Sequence, residues 1–250
     1  MSLLSIEKRD GIATVTLKRG KVNALNEPIV EQLKKSLESL ENDQQVRALI
    51  LTGQGKFFSF GFDIPELIGY SKADFQRFLE KFTELYTILF LYPKPVIAAL
   101  NGHTIAGGCM LSNACDYRIM VENSAKISLN EITFGASIFA GSVEMLRFNV
   151  GSRNAQTVLY SGAMYSAIQA LDLGLIEQHS SPESLLDRAR ETAAGFAGKQ
   201  TETFASIKRL LKTPVIDTIR DREAASIREF VDIWYSEETR ANVKKIKIYS

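Results

Sequence analysis

From Val96 to Val121 the chain reads VIAALNGHTIAGGCMLSNACDYRIMV: an apolar run, a Gly-Gly step opening a short apolar helix, and a second strand-like run. A strand that passes through a helix into another buried strand is a parallel crossover, and helices must cover its sheet because the strands are apolar on both faces. The alternation also runs upstream. Leu3 to Arg9 and Ile12 to Lys18 read as strands joined by an Asp10-Gly11 hairpin turn. Glu27 to Asp43 carries Ile29, Val30, Leu33, Leu37 and Leu40 at helical spacing, and Val46 to Thr52 is a buried strand. Ala73 to Leu91 is a second long helix with Phe75, Phe78, Leu79, Phe82, Leu85, Tyr86 and Leu89 on one side.

Beyond residue 150 the pattern turns helical, with segments predicted at Ser152 to Tyr160, Ser166 to Leu173, Pro182 to Ala197, Phe204 to Leu211, and Val215 into the 240s. The fold class is α/β, divided into a core over 1–190 and a helical region over 191–250. The aromatic and apolar face of the last helix (Phe230, Ile233, Trp234) needs a packing surface on the body or on another subunit.

The Gly-Gly step also carries chemistry. Gly107 and Gly108 let backbone approach a ligand with no side chain in the way, and the first turn of the helix they open has unpaired N–H groups that can face a developing negative charge. Glu131 follows in apolar surroundings. Loss of hydration there raises its pKa towards neutrality and makes it a usable proton shuttle.

Other classes are set aside on the residues. Lys+Arg 30 against Asp+Glu 29 leaves a net charge of +1, which supplies no general attraction to nucleic acid or an anionic membrane. Lys244, Lys245 and Lys247 form one basic cluster, read as a solvated helix end. Cys109 and Cys115 point to different faces of one short helix, which disfavours a disulfide or zinc framework, and His103 and His179 belong to no ligand cluster, so no metal is expected. Phe58 stands where a dinucleotide fingerprint after Gly53-Gln54-Gly55 needs its third glycine, and Ser59 lacks the preceding glycine of a nucleophile elbow. The apolar stretch Leu85 to Leu91 stops at Pro93, far short of a span, and the MSLLSIEKRDG start carries neither a signal-peptide nor a transit pattern, so a cytoplasmic protein is expected.

Five segments in order resemble the crotonase, or enoyl-CoA hydratase/isomerase, superfamily. Phe58-Ser59-Phe60-Gly61-Phe62-Asp63-Ile64 resembles its first oxyanion segment, and Asn101-Gly102 with Ala106-Gly107-Gly108-Cys109 its second. Ala114-Cys115-Asp116-Tyr117-Arg118-Ile119 is similar to its helix exit, Leu129-Asn130-Glu131 occupies its Leu-Pro-Glu position, and Val22-Asn23-Ala24-Leu25-Asn26 resembles the segment beside the CoA adenine and pantetheine. The resemblance implies a ββα spiral core with a helical C-terminal oligomerisation region, a homotrimer or hexamer, and an acyl-CoA thioester substrate with no separate cofactor. It implies an oxyanion hole from the N–H groups of Phe62 and Gly107, catalysis by Glu131, and substrate contacts by Asn23, Ala24, Phe60, Gly61, Asp63, Ile64, Met110 and Phe139.

Position 110 narrows the expectation. Hydratases of the family carry a glutamate immediately after Gly-Gly-Cys and a second at the Leu-Pro-Glu site; here the first is Met110, and a thioether neither activates water nor transfers protons. One carboxylate suffices to move a proton from C2 to C4 of a 3-enoyl thioester, so the resemblance implies a Δ3,Δ2-enoyl-CoA isomerase of fatty-acid β-oxidation. Another crotonase reaction (hydratase, lyase or decarboxylase) and non-catalytic acyl-CoA binding are the alternatives. Phe60 stands where the family has a small Ala, and Phe62 and Phe139 add bulk that reshapes or shortens the acyl tunnel. Glu144 is read as structural.

Overall fold

The computed structural model describes residues 2–246, so Lys247 of the basic cluster lies outside the described residues. Strands β1 (Leu4–Arg9), β2 (Ile12–Leu17), β3 (Ala48–Gly53), β5 (Val96–Leu100), β7 (Tyr117–Val121) and β9 (Gln178–Ser180) form a sheet in the order β1-β2-β3-β5-β7-β9. Only the β1–β2 hairpin is antiparallel. Strands β4 (Phe57–Ser59), β6 (His103–Ile105) and β8 (Ile127–Ser128) form a small parallel sheet beside it. Each coil of the chain gives one strand to the large sheet, bends, and gives the next to the small one, which is the ββα spiral the resemblance implies.

The bends are held by two asparagines. Asn101 Oδ1 accepts from Gly53 N at 2.8 Å and its Nδ2 donates to Gly55 O at 2.9 Å, joining successive coils. Asn23, at φ 49, donates to Phe57 O at 2.9 Å and accepts from Arg19 N at 3.1 Å. Gly102 lies between β5 and β6 where a Cβ would stand 2.0 Å from Lys56 O, so no larger residue lets the coils approach this closely.

Helix α1 (Glu27–Asn42) starts where Asn26 accepts from Ile29 N, with Pro28 in its first turn, and buries the five apolar residues foreseen. A short α2 (Ile64–Leu67) follows β4. Helix α3 (Lys72–Leu91), capped by Ser71, buries its aromatic stripe, each large side chain contributing about 1.5–3 kcal/mol. Helix α4 (Gly107–Ala114) is buried along its whole length, as a crossover enclosed by sheet and helices must be.

The C-terminal half departs from the sequence reading in three ways. Helix α5 spans Ala140–Ser161 but is broken at Gly151 (φ 75, ψ 162), so the helix expected from Ser152 is its second half. After α6 (Ala167–Asp172), residue 190 falls inside α7 (Leu185–Ala197), which packs on β3, β5 and β7 and belongs to the core; the change in architecture comes at Thr201. The two helices expected around residue 213 are one, α8 (Thr201–Trp234), running through Pro214; α9 (Glu237–Val243) is separate.

A proline inside a helix removes one hydrogen bond and costs about 3 kcal/mol or more, which is why the sequence reads as a break. Tertiary contacts override it. Lys208 and Lys212 donate to the two oxygens of Asp116 at 2.7 and 2.8 Å, and Lys212 also reaches Phe90 O at 3.0 Å. Beyond the proline, Glu223 accepts from Gly141 N at 2.6 Å and from the Tyr86 hydroxyl. Phe230 and Trp234 then stack into the body, with Phe230 4.6 Å from Phe139 and Trp234 4.9 Å from Phe75 between ring centres. Of the face expected to need a partner, Phe230 and Trp234 are covered by the chain's own core, while Ile233 stays half-buried.

Candidate active site

Two backbone segments meet first. After β4, Gly61 adopts φ +95, and the parallel bridge between Leu25 and Phe62 uses Gly61 O (from Leu25 N, 2.7 Å) and Asp63 N (to Leu25 O, 2.8 Å). In that pattern the N–H of Phe62 itself is left out of the ladder. After β6, Ala106 turns the chain at φ 49 and ψ −120, a sparsely populated conformation that costs about 1–3 kcal/mol for a residue with a side chain. The turn aims the chain into α4 with Gly107 as its first residue. Among the described residues neither Phe62 N nor Gly107 N donates a hydrogen bond.

The glycines let the segments touch. A methyl group on Gly61 would stand 2.8 Å from Ile105 O and 2.9 Å from Gly107 N; one on Gly108 would stand 2.5 Å from Ser59 O. Gly107 leaves room for the Phe62 ring, whose nearest carbon would lie 3.1 Å from an added Cβ. Two free donors thus sit on adjoining backbone, Phe62 on the wall of one cavity and Gly107 between its wall residues Ala106 and Met110 in the chain.

That cavity, of about 210 Å³, is walled by Phe60, Phe62, Ile64, Ile105 and Ala106 on the core side, Met110 from the first turn of α4, and Asn130, Glu131, Thr133 and Phe134 from a 3₁₀ turn. Phe230, Trp234 and Ile246 close it from the C-terminal layer. Glu131 is 6% exposed and its Oε2 has no hydrogen-bond partner among the described residues. Burial pushes its pKa up to about 8 although its own backbone N–H counters part of the effect. Glu131 also borders a wider apolar cavity of about 520 Å³ lined by Ile132, Ile138, Val143, Leu159, Tyr160 and Ile233 among others.

The residues named from the sequence divide. Phe60, Phe62, Ile64, Met110 and Glu131 come together on the cavity wall. Ala24 and Asp63 line a separate depression with Arg19, Lys21, Val22 and Pro65; Asp63 pairs with Arg19 at 2.6 Å and caps α2. Asn23 is fully buried with its amide committed to backbone, so it shapes the coil and offers no side-chain atom to a ligand. Phe139 is fully buried behind the wall, its ring centre 6.3 Å from that of Phe62. Glu144, near Arg222 at 2.5 Å and Arg147 at 3.2 Å, is neutralised away from the cavity. His103 is held against Phe57, at 5.0 Å, and accepts from Lys126 N. Asn130, Phe134, Phe230 and Trp234 were not foreseen as wall residues. For Phe230 and Trp234 the only signal was an aromatic pair one helical turn apart, which does not say what it faces.

The chain matches the model of the enoyl-CoA hydratase/isomerase family over residues 7–247, and it belongs to that family. A probable enoyl-CoA hydratase of Bacillus subtilis is 32% identical over 98% of this chain and 95% of its own. The mitochondrial enoyl-CoA delta isomerase 1 of Rattus norvegicus is 30% identical over 91% of this chain and 80% of its own. Among solved structures, human mitochondrial delta3-delta2-enoyl-CoA isomerase superimposes with a TM-score of 0.93 at 26% identity, covering 97% of this chain and 96% of that one. The chain is thus an enzyme of a family that acts on enoyl-CoA esters. Relatives carrying both activities in their names lie at similar distance, so the reaction has to be argued from the cavity.

Proposed function

We propose that this chain moves the double bond of a 3-enoyl-CoA ester to the trans-2 position. The observation that carries the reading is the composition of the cavity wall: one carboxylate, Glu131, with Met110 where a second would have to stand. In the proposed cycle the thioester oxygen accepts from Phe62 N and Gly107 N. The Glu131 carboxylate takes a proton from C2, and the electron pair moves into a dienolate whose negative charge rests on the thioester oxygen. Fixed donors stabilise that charge better than water does because they need no reorganisation. The protonated Glu131 then returns its proton to C4. Its raised pKa suits both steps, since a group with proton affinity near neutrality is able to accept and to donate.

Hydration has the Bacillus subtilis relative in its favour. A second acid/base on the opposite wall is what it lacks, and non-catalytic binding leaves the burial of an unpartnered carboxylate without a return. The deciding experiment incubates the protein with 3-enoyl-, 2-enoyl- and malonyl-type CoA esters. Faster conversion of 3-enoyl esters is expected; faster hydration of a 2-enoyl ester overturns the reading, and Met110→Glu should move the balance that way.

We also propose assembly as a homotrimer or hexamer in the cytoplasm. Support comes from apolar side chains that remain exposed within the chain, among them Tyr160 (72%), Leu210 (74%), Leu211 and Ile168. Light scattering at micromolar concentration tests it, a monomer being the contrary result.

A further inference from the structure

Glu131 is the first residue of a 3₁₀ turn, Glu131–Phe134, that Gly135 ends at φ 79. No other described residue holds its carboxylate by a hydrogen bond: Oε2 has no partner, and the contact that favours the charged form is with its own backbone N–H. The backbone of the turn therefore sets where the carboxylate sits. Upstream that backbone is tied down, since Ser128 O accepts from Ala106 N at 2.8 Å and Ser128 Oγ donates to Ala163 O at 2.8 Å. Downstream it is less so. Ile132, Thr133 and Gly135 are exposed, and bonds such as Thr133 N to Asn130 O and Ala136 N to Glu131 O shape the turn without joining it to the body.

From Glu131 to Ile138, one hydrogen bond among the described residues reaches another element: Thr239 Oγ1 on α9 donates to Gly135 O at 2.7 Å. Thr239 is placed to make it. It is 3% exposed, Ser236 caps α9 by accepting from Thr239 N at 3.3 Å, and Ser236 Oγ donates to Thr239 Oγ1 at 3.1 Å, which leaves the threonine's own proton for Gly135 O. Gly135 keeps the approach open, because an added Cβ would stand 3.3 Å from that hydroxyl. Thr239 lines neither cavity beside Glu131, so it acts on the site only through the turn.

We infer that Thr239 is a positioning residue for Glu131: by clamping the far end of the turn, α9 fixes where the carboxylate sits relative to the substrate. The inference rests on the isomerase reading for the two carbons, C2 and C4, that the carboxylate must reach, though not for the clamp itself. A base that serves two carbons has little freedom to move, and misplacement by about 1 Å costs up to about 10²-fold in rate.

Two substitutions test it. Thr239→Val keeps the shape and removes the hydroxyl, and Thr239→Ser keeps the hydroxyl and removes the methyl. With a 3-enoyl-CoA ester, and below the melting temperature of each variant, Thr239→Val is expected to lower kcat about 10–10²-fold with KM near wild type, and Thr239→Ser to recover most of the loss. A packing role gives the reverse order, because serine lacks the methyl that valine keeps. Wild-type kcat in Thr239→Val, or a Thr239→Ser protein no faster than it, overturns the inference. Carbon-13 NMR of the Glu131 carboxyl, assigned with Glu131→Gln, supplies a readout that needs no turnover. Its titration midpoint is expected to fall from about 8 towards the ordinary glutamate value in Thr239→Val, as a loosened turn lets water reach the group. If wild type converts no 3-enoyl ester, the isomerase reading fails and the clamp is judged by this titration, an unmoved midpoint refuting it.

Discussion

The two sides of the cavity are built by different means. On the core side the groups that the proposed cycle uses are backbone: Phe62 N and Gly107 N, which donate no hydrogen bond among the described residues where Gly61 and Ala106 take positive φ and Gly61 and Gly108 carry no side chain. On the C-terminal side they are side chains, Phe230 and Trp234, brought there by a helix anchored far from the cavity at Asp116. A backbone site tolerates no added atom where its strands touch. A side-chain wall tolerates changes in shape but depends on remote anchors.

Glu131, between the two sides, gives the largest expected effect. Glu131→Gln keeps size and polarity, removes proton transfer, and should lower turnover about 10²–10⁴-fold with CoA-ester binding retained. If turnover stays near normal, the base lies elsewhere and neither wall serves it. The same variant reports on burial. Folding raises the Glu131 pKa from 4.5 to about 8, so the folded protein holds the proton across that window and loses stability as pH rises through it. Glu131→Gln should therefore melt above wild type by a margin that grows up to about pH 8 and then levels off, as a pH series of thermal melts would show.

The anchor of the side-chain wall comes next. Burial pushes the Asp116 carboxyl up, but the ammoniums of Lys208 and Lys212 outweigh it and hold the group below its ordinary value; burial pulls Lys212 down to about 8. Asp116→Asn leaves two buried ammoniums without a counter-charge and should cost about 3–5 kcal/mol in denaturant unfolding. A loss below 1 kcal/mol would mean that α8 is held by its aromatic contacts alone. On the backbone side, Gly61→Ala places a methyl 2.9 Å from Gly107 N at a φ that disfavours any side chain, and should cost about 10²–10³ in kcat, as losing one oxyanion donor does. Retained kcat in a folded Gly61→Ala protein would break the assignment of donors to this edge.

The smallest effect is the pH profile. Glu131 must be ionised in the free enzyme to act as base, so kcat/KM should rise with pH and level off above about 8. A profile flat from pH 5 upward would mean that the carboxylate is ionised despite its burial.

What the sequence determined by itself is the part of the molecule built from local rules. Strand and helix periods located β1, β2, β3, β5 and β7 and α1, α3 and α4, because each period exposes or buries one face whatever the neighbours are, while the short β4, β6 and α2 carry too few residues to show a period. The Gly-Gly step marked a close backbone approach, because only glycine permits that contact, the family resemblance pointed to Phe60-Gly61-Phe62 as the segment facing it, and Glu131 stood out as a charge in an apolar run. Tertiary structure decided the rest. Pro214 lies inside α8 because ion pairs at Asp116 outweigh a lost hydrogen bond; Phe230 and Trp234 face the cavity because α8 folds back on its own core; Asn23 turns inward because the coil beside it needs its amide. Each of these depends on groups distant in the chain, and a local pattern carries no information about which distant groups will meet it.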